Sequence, residues 1–212
     1  MTSDSTSKNG NPISIRRAFD FAWPVYKEHS GLFAAVLLTM FGAWVVLEIV
    51  VITGQRFGIV LWVAAHLAFL VFFAGLELGL LHICFVMLDG GNPQFNDTFQ
   101  HVAMGPKFLA GQIIYLLVAG VGLVLFIFPG VYFGVRYSLF GFCMANGETN
   151  LKRCFQQSAI LSTKSLKYLL GILAFLLGLN VLGACLLGFG LFVTIPLSIL
   201  MMTTVYRKLS LS

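Results

Sequence analysis

Charge is what this chain has least of. Of its 212 residues only 10% are Asp, Glu, Lys or Arg, against about 25% in an ordinary soluble domain. With 58% hydrophobic residues, too few polar groups remain to clothe a globule in water, so lipid must cover much of the surface. Dense basic patches with interleaved aromatics are absent, and the excess of positive charge is spread over short segments, which excludes nucleic-acid binding. Cysteine is scarce: Cys84, Cys143, Cys154 and Cys185 form no CxxC pair, so neither a disulfide framework nor a zinc site is indicated. HExxH, GxSxG and a glycine-rich phosphate loop are all missing, and no cofactor is called for. The N-terminal "MTSDSTSKNGNP" has no apolar run close behind it, as a cleavable signal would require. The first such run begins at Leu32, so the first membrane helix is expected to be its own insertion signal.

What the chain has is apolar stretches long enough to cross a bilayer, which takes about 20 residues at 1.5 Å each. Leu32–Ile52 is the first. Gly58–Leu88 is longer, about 46 Å if wholly helical, and should tilt, bend near Gly75 and Gly79, or emerge from the membrane. The third, Phe108–Phe128, is expected to stop at a tight Pro129-Gly130 turn. The fourth, Val131–Ala145, is short; the fifth and sixth, Leu166–Leu187 and Leu191–Tyr206, meet around Gly188 and Gly190. The fold class is therefore all-α: a polytopic membrane protein with six transmembrane helices in three hairpins. A polar N-terminus over 1–12 precedes one membrane domain over 13–208.

Before each hairpin lies an amphipathic segment: "SIRRAFDFAWPVYKEH", "FNDTFQHVAMGPK" and "NLKRCFQQSAILSTK". Each sets a Phe (Phe19, Phe99, Phe155) ahead of a Lys (Lys27, Lys107, Lys164). In the first, Ile15, Phe19, Ala22, Trp23 and Tyr26 share a helical face opposite Arg16, Arg17, Asp20 and Lys27, and Pro24 should kink it. Asn150 is a candidate cap for the third. Helices of this kind lie in the headgroup plane. The pattern suggests three repeats, 13–90, 93–146 and 150–208. One side of the membrane then receives Lys8, Arg16, Arg17, Lys27, Lys107, Lys152, Arg153, Lys164, Lys167, Arg207 and Lys208, and the other Arg56. That bias places both termini in the cytoplasm.

Ionisable groups inside spans cost about 2.5–3.5 kcal/mol on insertion scales, so each needs a partner or a role. Glu48, His66 and Arg136 fall within about 6–12 Å of the outer helix ends and are a candidate polar cluster. Glu48 either pairs with Arg136, with His66 nearby, or snorkels toward Arg56 and water. Glu77 and His82 fall in the inner half of the long helix; His66 and Glu77, about 16 Å apart along it, are too distant to share a metal or a proton. Small residues recur every fourth position at Gly75 and Gly79, at Gly130, Gly134 and Ser138, and at Ala184 and Gly188. Such stripes let helix backbones approach closely, within one subunit or in a homodimer.

From Phe126 onward, "FIFPGVYFGVRYSLFGFCMANGETNLKRCFQQSAILSTK" followed by a hairpin and "VYRKL" resembles the membrane domain attached to some bacterial glycerophosphodiester phosphodiesterases and its stand-alone relatives. The residues that carry the likeness are Pro129, Gly130, Arg136, Tyr137, Ser138, Glu148, Ser158 and Lys167. The resemblance implies a helical bundle in the bacterial inner membrane. It brings no catalytic signature, and the phosphodiesterase activity is not carried over.

The expected role is a non-enzymatic envelope scaffold, sensor or accessory protein, with the lipid bilayer and another membrane protein as partners. The alternative is a small transporter or lipid-handling protein whose Glu48, His66 and Arg136 receive an anionic lipid or solute. An intramembrane hydrolase built from Ser138, His66 and Glu48 is a third reading.

Overall fold

Side chains that are apolar on every side of a helix cannot all be buried by a chain this short. In the computed structural model, which describes residues 14–54, 58–186 and 188–211, they are not. Val60 is 81% exposed and Phe128 91%, and long rows such as Leu38, Phe41, Val46 and Ile49 face outward as well. Every regular element among the described residues is helical: α1 (Ile15–Glu28), α2 (Ser30–Gly54), α3 (Ile59–Leu88), a 3-10 helix (Phe95–Met104), α4 (Gly105–Leu125), α5 (Ile127–Tyr137), α6 (Phe140–Ala145), α7 (Leu151–Lys164), α8 (Leu166–Cys185) and α9 (Leu191–Leu211). Five stretches are long and apolar enough to cross a membrane: Ser30–Ile52, Ile59–Leu88, Phe95–Leu125, Ile127–Ala145 and Leu166–Cys185. Helix α9 matches them in length but carries Thr194, Ser198, Thr203, Thr204, Arg207 and Lys208. The polar N-terminal stretch and Arg56 lie outside the described residues.

Helix α3 is the hub, touching α2, the 3-10 helix, α4, α6 and α9. It is unbroken at Gly75 and Gly79. Its two halves differ: Ile59, Val60, Leu61 and Leu67 are exposed, whereas Leu76, Leu78, Leu80, Ile83 and Cys84 are buried. The core is therefore gathered at one end of the molecule, where α3 meets Leu200, Met201, Val205 and Tyr206 of α9. Tyr206 is itself buried, with the Phe85 ring edge-on at 5.7 Å and Phe142 stacked at 6.3 Å.

The three segments before the hairpins are packed more deeply than their polarity suggests. Helix α1 lays Ala18 and Ala22, one turn apart, against α9 and buries both, while Phe19, Trp23, Tyr26 and Phe33 stack in a ladder beside them. Pro24 lies inside α1, which is continuous through it. Helix α7, capped by the Asn150 side chain accepting from the Arg153 N–H at 3.3 Å, buries Cys154, Ser158 and Ser162 on one face. The second segment is a 3-10 helix running directly into α4 and pressed against α3. A Cβ added at Gly75 would sit 2.6 Å from the Val102 Cα, one at Gly79 would overlap the Thr98 carbonyl, and one at Gly105 would overlap the Val71 carbonyl. Three glycines thus let two backbones meet where no side chain fits.

Two chain reversals differ from the sequence reading. The α4–α5 break is at Phe126, which is extended (φ −157°, ψ 136°), not at Pro129-Gly130. Pro129 falls in the first turn of α5, where its missing N–H costs nothing and its fixed φ suits the helix. Gly130 instead serves packing, since a Cβ there would overlap Leu123 of α4 and a Cβ on Gly122 would sit 2.8 Å from the Gly130 Cα. Gly134 is not so confined, its nearest neighbour being the Tyr115 hydroxyl, which donates to the Gly134 carbonyl at 3.1 Å. In the α8–α9 hairpin the contact residue is Gly183 rather than Ala184: a Cβ on Gly190 would sit 2.6 Å from the Gly183 Cα, whereas Ala184 is exposed. Gly188 makes the turn with φ +81°.

The fourth apolar stretch is interrupted between α5 and α6. Ser138 sits at the break with its hydroxyl donating to the Val135 carbonyl at 2.9 Å. The fully buried Ser158 bridges the gap from α7: its hydroxyl donates to the Arg136 carbonyl at 2.9 Å and accepts from the Leu139 N–H at 3.2 Å. Two backbone groups released by the interruption are thereby satisfied in an apolar setting.

Gly79→Ala should lower the melting temperature in detergent by several degrees, the overpacking costing about 1–3 kcal/mol. Gly171→Ala in α8, where a Cβ meets nothing within 4 Å, should leave it unchanged or raise it.

Candidate functional site

The expected trio Glu48, His66 and Arg136 is split. Glu48 on α2 and His66 on α3 line one open groove of 490 Å³, whose other walls include Phe41, Trp44, Phe69 and Phe73. The two helices run antiparallel, so residues near the α2 end meet residues near the α3 start. The His66 Nδ1 lies 2.9 Å from the Trp62 carbonyl, which assigns the proton to that nitrogen in the neutral ring and leaves Nε2 as an acceptor. The Trp62 ring packs on the imidazole at 4.2 Å between centroids. Glu48 forms no ion pair or hydrogen bond with any described residue.

Arg136 is held on α5, which packs against α4, α7 and α8. Its guanidinium donates to the Tyr132 hydroxyl one turn earlier and lies 5.6 Å from that ring's centroid. The cation is accommodated within its own helix by an aromatic face and a phenol oxygen. No ion pair joins it to Glu48 in this structure.

A second polar layer lies in the inner half of α3. The Gln112 amide of α4 donates to the Glu77 carboxylate at 2.6 Å. His82 meets the Ala145 carbonyl through Nδ1 at 3.0 Å, and its ring faces that of His101 at 4.4 Å. The Nδ1 of His101 and the hydroxyl of Thr98, both buried, have no hydrogen-bond partner among the described residues. Farther along, Asn180 of α8 donates to the Ser198 hydroxyl of α9 at 2.9 Å. Sequence reading passed over Gln112 and Asn180, yet each is a lone amide in an apolar run and so marks a helix contact. His101 and Ser158 gave no such signal, because both stand in segments polar enough for a membrane surface.

Cys143 and Cys154 come together near the turn after α6. The Cys143 thiol donates to the Gln157 side-chain oxygen at 3.0 Å and the Cys154 thiol to the Glu148 carbonyl at 3.6 Å. The adjoining Cys143 and burial push the Cys154 thiol far up, so it stays neutral. Cys84 is buried in α3, and Cys185 is exposed at the end of α8. The His, Cys, Asp and Glu of the described residues nowhere gather in a group of three able to hold a metal ion.

Another groove, of 620 Å³, opens at the opposite end of the molecule beside Phe21, Leu88, Asp89, Thr204, Arg207 and Lys208. There Arg207 pairs with Asp89 and covers the Phe85 ring at 5.6 Å.

Gln112→Leu should destabilise the protein by about 1–3 kcal/mol, because the Glu77 carboxylate loses its donor in an apolar setting. Adding Glu77→Leu should recover most of that loss, as thermal melting of the two variants in one detergent will show. No protein-family model, curated protein or solved structure matches this chain.

Proposed function

We propose that this chain is a multi-pass protein of the bacterial inner membrane, crossing it six times with both termini in the cytoplasm, and that it serves as a non-enzymatic scaffold, sensor or accessory protein of the envelope. The observation that carries the reading is an apolar outer surface with basic residues collected at one end. Arg16, Arg17 and Lys27 of α1, Lys107, Lys152, Arg153, Lys167, Arg207 and Lys208 all belong to segments at that end, as cytoplasmic loops do. α9 is the sixth crossing in this reading: at 21 residues it spans about 30 Å, and its hydroxyls bond back to their own helix, as Ser198 does to Thr194 and Thr203 to Ile199. α1, the 3-10 helix and α7 lie at the cytoplasmic surface, each leading into a hairpin. The element order then repeats three times. The likeness to bacterial membrane domains over the last 90 or so residues supports the same location.

Support for a scaffold comes from how the polar side chains are used. Glu77 with Gln112, Asn180 with Ser198, and Ser158 across the α5–α6 break all hold helices to one another. Groups committed in this way stabilise an arrangement rather than turn over a substrate. A second reading, a small transporter or lipid-handling protein, is favoured by the α2–α3 groove, whose Glu48 has no ion-pair partner among the described residues.

Native cysteines offer a direct test of the topology. A membrane-impermeant maleimide applied to intact cells should modify the wild-type protein at Cys185, since Cys84, Cys143 and Cys154 are buried. In a Cys185→Ser background, Ser210→Cys should be labelled only after the membrane is permeabilised. Labelling of Ser210→Cys from outside would overturn the orientation.

A further inference from the structure

We infer that the groove between α2 and α3 binds a lipophilic monocation, an ion with a weakly hydrated positive head and an apolar body, and does not take an anion. The inference rests on reading α2 and α3 as membrane spans, and it names the ligand class for the groove.

In the sequence, Arg136 is one of two candidate partners for Glu48, and a cluster of Glu48, His66 and Arg136 would favour an anionic ligand. With Arg136 held by Tyr132 on α5, the one acidic or basic side chain among the described residues that line the groove, His66 aside, is Glu48. Among the described residues that carboxylate has no ion-pair or hydrogen-bond partner; an unpaired carboxylate within a span is costly, and a bound cation would offset that cost. The walls suit such a guest. Trp44, Phe69 and Phe73 present aromatic surface, and the Phe41 and Trp44 rings, 6.0 Å apart, line the same groove as Glu48. Aromatic faces attract weakly hydrated cations and repel anions. The His66 ring, its Nδ1 engaged with the Trp62 carbonyl, turns its other nitrogen, Nε2, to further contacts.

The groove is also polarised along its length. Glu48 and His66 stand toward the α2–α3 connection, while Met40 and Phe73 close the other end. Residues 40 to 48 cover about 12 Å of helix, room for an apolar body behind a charged head. Phe41, Trp44 and Leu70 of the lining are exposed, so on the membrane reading a ligand would arrive from the bilayer.

The test uses full-length protein purified in a non-ionic maltoside and two ions of one shape and opposite charge, tetraphenylphosphonium and tetraphenylborate, by equilibrium dialysis. Wild-type protein should bind the phosphonium more tightly than the borate. Glu48→Gln should weaken the phosphonium at least tenfold and leave the borate unchanged, while Arg136→Gln alters neither. Thermal melting verifies that each variant is folded. Should Glu48→Gln fail to fold, Trp44→Leu decides: several-fold weaker phosphonium binding supports the site, and unchanged binding overturns it. Equal or tighter borate binding by the wild type, or phosphonium binding indifferent to Glu48→Gln, would also overturn it. Failure of the membrane reading looks different: the protein would then be recovered from cells in a detergent-free aqueous fraction.

Discussion

The architecture depends on one contact between backbones. The 3-10 helix runs antiparallel along α3 at Gly79 and Gly75, and its exit at Gly105 touches α3 again at Val71. In lipid, apolar side chains gain nothing by leaving hydrocarbon for one another, so helix association relies on close van der Waals contact and on hydrogen bonds. Glycine supplies the first by removing the side chain that would hold backbones apart. The contact fixes the start of α4 and lets Gln112 reach Glu77. It also brings His101 against His82, whose Nδ1 meets the carbonyl of Ala145 at the end of α6.

From that contact follows the asymmetry of the molecule. Three short segments, α1, the 3-10 helix and α7, crowd the end where basic residues gather, and each buries a face of small or hydroxyl-bearing residues: Ala18 and Ala22, Thr98, Ser158 and Ser162. Packing there is dense because small faces let neighbours approach. Toward the other end the helices lack such companions. α2 and the first half of α3 bury few of their side chains fully, and between them an open groove remains. The molecule thus has a filled end and an open end.

The ionisable groups follow the same division. In the filled half, Glu77 and His82 are held by an amide and a carbonyl from other elements. In the open half, Glu48 and His66 share a groove, and His66 is held only by its own helix. Arg136, with Tyr132 one turn away, is self-contained. A charge without a partner is costly in a medium of low dielectric, and Glu48 has none among the described residues, so its position is the feature that most demands a functional account.

Helix content, the apolar stretches and most of their limits were legible in the sequence, because the requirement to satisfy every backbone group in hydrocarbon leaves helices as the economical choice for long apolar runs. The Gly75–Gly79 stripe was legible for a related reason: spacing of four puts both on one helix face. Its partner was not, since a segment such as "FNDTFQHVAM" is equally polar whether it floats on a membrane or presses on α3. Nor did composition separate Gly130, which is confined, from Gly134, which has room. The sequence by itself determined that this chain is helical, with stretches long and apolar enough to cross a membrane, through hydropathy and length. Only the tertiary structure decided that Arg136 stands apart from Glu48, because which helices become neighbours depends on packing between side chains distant in the chain, and no periodicity along one helix encodes that.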